Sequence, residues 1–125
     1  NIEIVHLPEL VQPRGNMVEI SALNATRLYK ITLNEHSVRG NHYHFKQIEE
    51  FYTNRDRVTY LFSHCDDPDI ILIYQSNQNE RIKVYPYIIH TLCNDFMDNI
   101  PEIIISSTQE YIPGQTPDTE YKHNI

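Results

Sequence analysis

Apolar residues in this chain recur in short β-branched and aromatic runs that alternate with polar ones, and the i, i+3, i+4 spacing of an amphipathic helix is hard to find. Ten segments fit a strand pattern: Ile2 to Val5, Met17 to Leu23, Arg27 to Leu33, Arg39 to His44, Ile48 to Thr53, Val58 to His64, Ile70 to Gln75, Arg81 to Tyr85, Ile89 to Asn94 and Glu102 to Ser107. Breakers stand between them at Pro13-Arg14-Gly15-Asn16, Asn34-Glu35-His36-Ser37, Asn54-Arg55-Asp56, Asp66-Asp67-Pro68-Asp69, Ser76-Asn77-Gln78-Asn79 and Asn94-Asp95. Short strands at such even spacing predict an antiparallel all-β domain whose sheet closes on itself. Only three glycines serve these turns, so Asn and Asp are expected at most left-handed backbone positions. Beyond Pro113, the residues Gly114, Pro117 and Asp118 predict an extended tail packed on a surface or a partner subunit.

A chain of 125 residues suits one hydrophobic interior, so residues 1–125 are expected to form a single domain. The formal charge of -7 and the scattering of ten Lys and Arg residues exclude a general nucleic-acid surface, which needs clustered cations. A small anionic ligand is still allowed, because a few basic side chains in a cleft can oppose the net charge locally. Nothing resembles a membrane span or an apolar signal segment, and Cys65 and Cys93 form neither a C-x-x-C pair nor a disulfide framework. A cytoplasmic, reducing setting with no membrane partner is therefore expected. Because residue 1 is Asn, the chain is expected to have been trimmed or excised from something longer, such as one half of a fusion.

The residues with the most chemistry lie in Arg39-Gly40-Asn41-His42-Tyr43-His44. On a strand, His42 and His44 at i and i+2 share one face and Tyr43 takes the other. Two imidazoles turned into a barrel interior need compensating partners, and a cation is such a partner. A carboxylate follows at Glu49 or Glu50; parity chooses weakly, since each shares its face with apolar neighbours. His90, in the distant run Pro86 to Asn94, would complete a set of three imidazoles and one carboxylate. Such a set suits a divalent ion, zinc first and then Mn, Fe, Co, Ni or Cu, with positions open for water or substrate. Arg39 and Lys46 flank the cluster and could meet a phosphate, although two exposed strand-end charges would look the same. His6, His36, His64 and His123 read as surface or turn residues. His64 beside Cys65, Asp66 and Asp67 reads as a solvated acidic loop rather than a second metal site.

At these positions the sequence resembles the cupin superfamily, with Gly40, His42, His44 and Glu49 matching its first motif and Pro86, His90 and Asn94 its second. It is most similar to the sugar-nucleotide branch: Arg39 to His44, Pro86 to Asn94 and Pro117-Asp118-Thr119 look like the C-terminal cupin domain of capsular-polysaccharide enzymes that epimerise sugar nucleotides. More distantly, Arg39 to Tyr43 resembles the metal-free 3,5-epimerases of deoxysugar biosynthesis, whose base is a histidine at the His42 position. The likeness implies a cupin-type double-stranded β-helix, or jelly roll. It further implies a metal on His42, His44, Glu49 and His90, and proton transfer beside the carbonyl of a 4-keto sugar nucleotide with His42 and Tyr43 as catalytic groups. Arg39, Lys46 and Tyr87 would be substrate-binding, and a homodimer is expected because small cupins pair through edge strands. Two departures stand out: the first motif lacks its closing glycine at Asn54 to Arg57, and Tyr87 replaces the glycine that follows Pro86. They leave room for a noncatalytic sugar-binding or regulatory cupin, or for an Fe(II) oxygenase on the same ligands.

Overall fold

The computed structural model describes residues 1–20, 24–53, 57–95, 100–108 and 118–125. Twelve strands carry the fold: β1 (Ile2–His6), β2 (Glu9–Gln12), β3 (Gly15–Val18), β4 (Arg27–Thr32), β5 (Val38–Tyr43), β6 (Glu49–Thr53), β7 (Thr59–His64), β8 (Leu72–Gln75), β9 (Glu80–Val84), β10 (Ile88–Cys93), β11 (Glu102–Ser107) and β12 (Glu120–Tyr121). They form two five-stranded sheets, ordered β1-β9-β6-β11-β4 and β12-β5-β10-β7-β8, with β2-β3 as a separate hairpin. Every pairing among the described strands is antiparallel. The chain is an all-β jelly roll, with no helix among the described residues.

Period-two alternation explains which faces meet. On β11, Ile103 and Ile105 are buried while Glu102 is exposed; on β9, Ile82 and Val84 are buried between the partly exposed Arg81 and Lys83. These side chains meet Leu33, Phe51, Val58, Tyr60, Phe62, Ile88 and Leu92 in one core. Strands β6 and β10 are buried throughout, because both of their faces are covered. On β6 the inner face carries Phe51, in the core, and Thr53, whose hydroxyl bonds the Tyr60 hydroxyl at 2.7 Å. Glu50 points the other way and pairs with Arg81 at 3.0 Å. That settles the parity between the two acidic residues, since Glu49 shares the face of Phe51.

Nine of the ten expected strands lie within one or two residues of their observed counterparts. The segment expected at Met17 to Leu23 is strand only at Gly15–Val18, with residues 21–23 outside the described set. The Asn54-Arg55-Asp56 turn and the tail residues Pro113, Gly114 and Pro117 also lie outside it. The short β2 and β12 were not expected. The left-handed positions need correction: His36, Asn41, Arg57, Asn79 and Tyr87 have positive φ, so among the described residues Asn takes two and Asp none. Tyr87, at φ 68°, occupies the left-handed position that explains why a glycine is usual there.

Candidate metal centre

The site lies between the two sheets. Strand β5 pairs with β10 so that His42 faces His90, but the next pair is Thr91 with Gly40, which leaves Asn41 as an extra residue. This is a β-bulge, built on Gly40 at φ 109° and Asn41 at φ 53°. Only glycine fits at residue 40, because an added Cβ would stand 2.3 Å from the His90 carbonyl oxygen. The extra residue shifts parity along β5, so Arg39 comes to line the same cavity as His42 instead of facing away from it.

The cavity holds about 60 Å³ and is lined on one wall by Tyr29, Ile31, Glu49, Phe51 and Ile105, and on the other by Arg39, Gly40, His42, His90 and Leu92. That volume suits roughly two waters, or the reacting edge of a larger molecule. Beside it, ligand atoms of His42, His44, Glu49 and His90 all lie within 4.8 Å of one another. Ring centroids are 5.1 Å apart for His42 and His44, 4.5 Å for His42 and His90, and 5.0 Å for His44 and His90.

Hydrogen bonds fix how two of these rings are protonated. His44 Nδ1 lies 2.7 Å from the Asp118 carbonyl oxygen, and His90 Nδ1 lies 3.0 Å from the Ile88 carbonyl oxygen. A carbonyl can only accept, so each Nδ1 carries a hydrogen and donates it. Both rings present Nε2 to Glu49, whose Oε1 is 2.6 Å from His44 Nε2 and 3.2 Å from His90 Nε2; with Nδ1 occupied, a ring in its neutral form turns a lone pair there. Lone pairs converging on a buried carboxylate repel unless a proton or a cation stands among them. One proton shared between His44 and Glu49 leaves His90 Nε2 buried without a hydrogen-bond partner, as it is here.

The donors suit a divalent ion. Bonds of ~2.0–2.1 Å keep neighbouring ligand atoms roughly 3 Å apart, so the His90–Glu49 spacing already fits and the His44–Glu49 spacing has to open by a few tenths of an ångström. His42 differs from its neighbours. Its ring has no hydrogen-bond partner among the described residues, is only partly buried, and packs edge-on against Tyr121 at 5.6 Å.

Burial, then the nearby His90 and His44, push the His42 imidazole down from 6.5 to about 3. For Glu49, burial acts upward, but the hydrogen bond from His44 and the adjacent His90 ring outweigh it and hold the carboxyl well below the usual range. Both shifts act in one direction. As pH falls below 6.5 the unfolded chain protonates residue 42 while the folded one stays neutral until about pH 3, so stability declines across that window. Glu49 adds to the decline once pH falls below 4.5, the ordinary value of a free glutamate. Melting temperatures of chelator-treated protein should therefore drop between pH 7 and 4, and His42→Asn should flatten the part above pH 4.5. An unchanged slope in that variant would contradict the assignment.

Three residues expected at the site lie elsewhere. Tyr43 faces away from the cavity and packs against Phe45 at 5.3 Å; Tyr87, 47 % exposed, sits over the outer surface near Phe45 and His64. Lys46 is exposed and contributes its backbone N–H to Asp118. His6, His36, His64 and His123 are exposed, and His64 Nδ1 accepts the Asp66 N–H within its own turn at 3.1 Å.

Two participants were missed by the sequence reading. Tyr29 donates its hydroxyl hydrogen to Glu49 Oε2 at 3.0 Å, and the alternation Tyr29, Ile31, Leu33 was the available signal. Asp118 acts on His44 through its backbone carbonyl, which leaves no mark in a sequence.

No protein-family model matches this sequence, and no curated protein matches it. Solved structures do. QdtA from Thermoanaerobacterium thermosaccharolyticum, a sugar 3,4-ketoisomerase in complex with TDP, superposes with a TM-score of 0.78 at 17% identity, over 99% of this chain and 90% of that one. WlaRA from Campylobacter jejuni, a TDP-fucose-3,4-ketoisomerase, gives 0.75 at 12% identity, over 98% and 90%. The capsular polysaccharide assembling protein CapF from Staphylococcus aureus gives 0.70 at 23% identity, over 93% of this chain and 34% of that one. The fold is thus one that these structures share over the matched regions.

Proposed function

We propose that this chain is a sugar-nucleotide isomerase or epimerase of the cupin type, moving a proton beside the carbonyl of a 4-keto sugar, with a divalent cation, zinc first, on His44, Glu49 and His90. The observation that carries it is the convergence of two carbonyl-locked imidazoles on one buried carboxylate. A cation bound there would supply Lewis-acid polarisation of a substrate carbonyl. Similarity to a fold in which QdtA binds TDP supports the nucleotide-sugar part.

His42 has the free role. Its ring borders the cavity and has no hydrogen-bond partner among the described residues, so it can take the proton from the carbon next to the carbonyl. The C–H electron pair moves into the new C–C double bond, and the carbonyl pair moves onto oxygen. Returning the proton to the former carbonyl carbon, while the hydroxyl hydrogen on the carbon that lost it passes to the old carbonyl oxygen, moves the carbonyl; a proton delivered by another donor to the opposite face of the same carbon, as the pair on oxygen closes the carbonyl again, inverts that centre. An imidazole held neutral is a weak base until substrate arrives; the negative charge of a diphosphate would raise its basicity. Arg39, on the same wall, places a permanent cation where developing oxyanion or phosphate charge can meet it. Ile31, Phe51, Leu92 and Ile105 keep bulk water from the reacting edge.

Elemental analysis, calorimetric metal titration and solvent deuterium incorporation into a panel of TDP- and UDP-linked 4-keto sugars test this. Wild type should bind one ion and catalyse exchange. His44→Ala should bind at least ~100-fold more weakly, whereas His42→Asn should keep the ion and lose exchange. A wild-type protein that binds no divalent ion refutes the metal, and absence of exchange across the panel refutes the reaction.

A further inference from the structure

Glu49 gives its two oxygens different work. Oε1 faces the Nε2 atoms of His44 and His90, while Oε2 accepts the hydroxyl hydrogen of Tyr29 at 3.0 Å. A carboxylate oxygen cannot donate, so the phenol hydrogen is committed to Glu49 and is not offered to the cavity as an acid. The Glu49 residue is 3% exposed, and the phenol reaches its carboxylate within the same sheet, from β4 two strands away. The Tyr29 ring is itself held, with the Arg27 guanidinium 4.5 Å over its face. The last torsion of a glutamate is broad and nearly two-fold, so without a partner on Oε2 the group could turn either oxygen, or both, toward the imidazoles.

Resting on the metal reading above, we infer that Tyr29 is a positioning residue that restricts Glu49 to binding the cation through one oxygen. The consequence is selectivity. Large, hard ions such as calcium favour a two-oxygen carboxylate and many oxygen ligands, whereas one carboxylate oxygen beside two imidazoles suits zinc and its first-row neighbours. Single-oxygen binding also leaves coordination positions for a substrate oxygen.

Tyr29→Phe keeps the ring and removes only the hydroxyl. Zinc and cobalt titrations of the full chain, with the visible spectrum of the cobalt form, give the readout. The variant should bind zinc ~10–100-fold more weakly, and its cobalt spectrum should change as the carboxylate swings. Tyr52→Phe, which removes a hydroxyl bonded to Asn79 outside the cavity lining, should alter neither. Should the Phe variant fail to fold, Tyr29→Gln and Tyr29→Leu ask the same question, with the donor-bearing Gln expected to bind more tightly than Leu. Wild-type affinity and an unchanged spectrum in Tyr29→Phe, or equal affinities for Gln and Leu, overturn the inference. A wild type that binds no ion fails the metal reading instead, so the two failures are distinct.

Discussion

Gly40→Ala is expected to lower the melting temperature by at least ~10 °C and to abolish metal binding. The added Cβ would stand 2.3 Å from the His90 carbonyl oxygen and 3.1 Å from the Thr91 Cα, both main-chain atoms that cannot step aside. At φ 109° the alanine is also strained whatever the space around it. Strain of this kind costs ~1–3 kcal/mol and overpacking a further ~1–3 kcal/mol, a large share of the stability of a small domain. Relief requires β5 and β10 to part at the His42–His90 pair, within one wall of the site. Gly15→Ala is the control: its φ is 136°, but nothing lies within 4 Å of the new Cβ, so only the ~1 kcal/mol backbone term applies. Thermal melts of both variants, with zinc titrations, decide it; equal effects at the two glycines would mean that the close approach is unimportant.

The same bulge marks the limit of reading the site from sequence. Strand periodicity placed His42 and His44 together, and the distant Pro86 to Asn94 run supplied His90, so the three imidazoles were legible from residue types and spacing. Counting by two along β5, however, sets Arg39 opposite His42, and only the extra residue at Asn41 brings them to one cavity. A bulge is a tertiary solution that costs one residue and has no compositional mark beyond a glycine. The choice between Glu49 and Glu50 needed the pairing of β6, because both faces of that strand are buried and alternation loses its contrast. Tyr87 shows a related difficulty. Its left-handed backbone sends the ring over the outer surface toward Phe45 and His64 and away from the histidines, so motif position misjudged its direction. Tyr43 was correctly read as facing away from His42, which is why it does not reach the cavity.

Asp118→Ala should cost about 2–3 kcal/mol and weaken zinc binding at least ~10-fold, although residue 118 offers the cation nothing of its own. Its carboxylate accepts three successive backbone N–H groups, from Phe45 at 3.1 Å, Lys46 at 2.8 Å and Gln47 at 3.0 Å. These hold the turn between β5 and β6, which fixes the spacing from His44 to Glu49. Its carbonyl oxygen meets His44 Nδ1 and also accepts from Gln47 Nε2 at 3.2 Å. The residues that follow continue the tie: β12 pairs with Tyr43 and His42, and buried Asn124 bonds the Leu61 carbonyl, Ser63 and Thr91. Removing the carboxylate frees three donors and lets the carbonyl drift, so His44 loses the contact that selects its tautomer. Asp118→Asn retains an acceptor oxygen without the charge and should fall between wild type and Ala in both melting temperature and zinc affinity. If Ala lowers stability but leaves zinc affinity intact, the C-terminal segment supports the barrel alone and the His44 tautomer is set by something other than its bond to the residue 118 carbonyl.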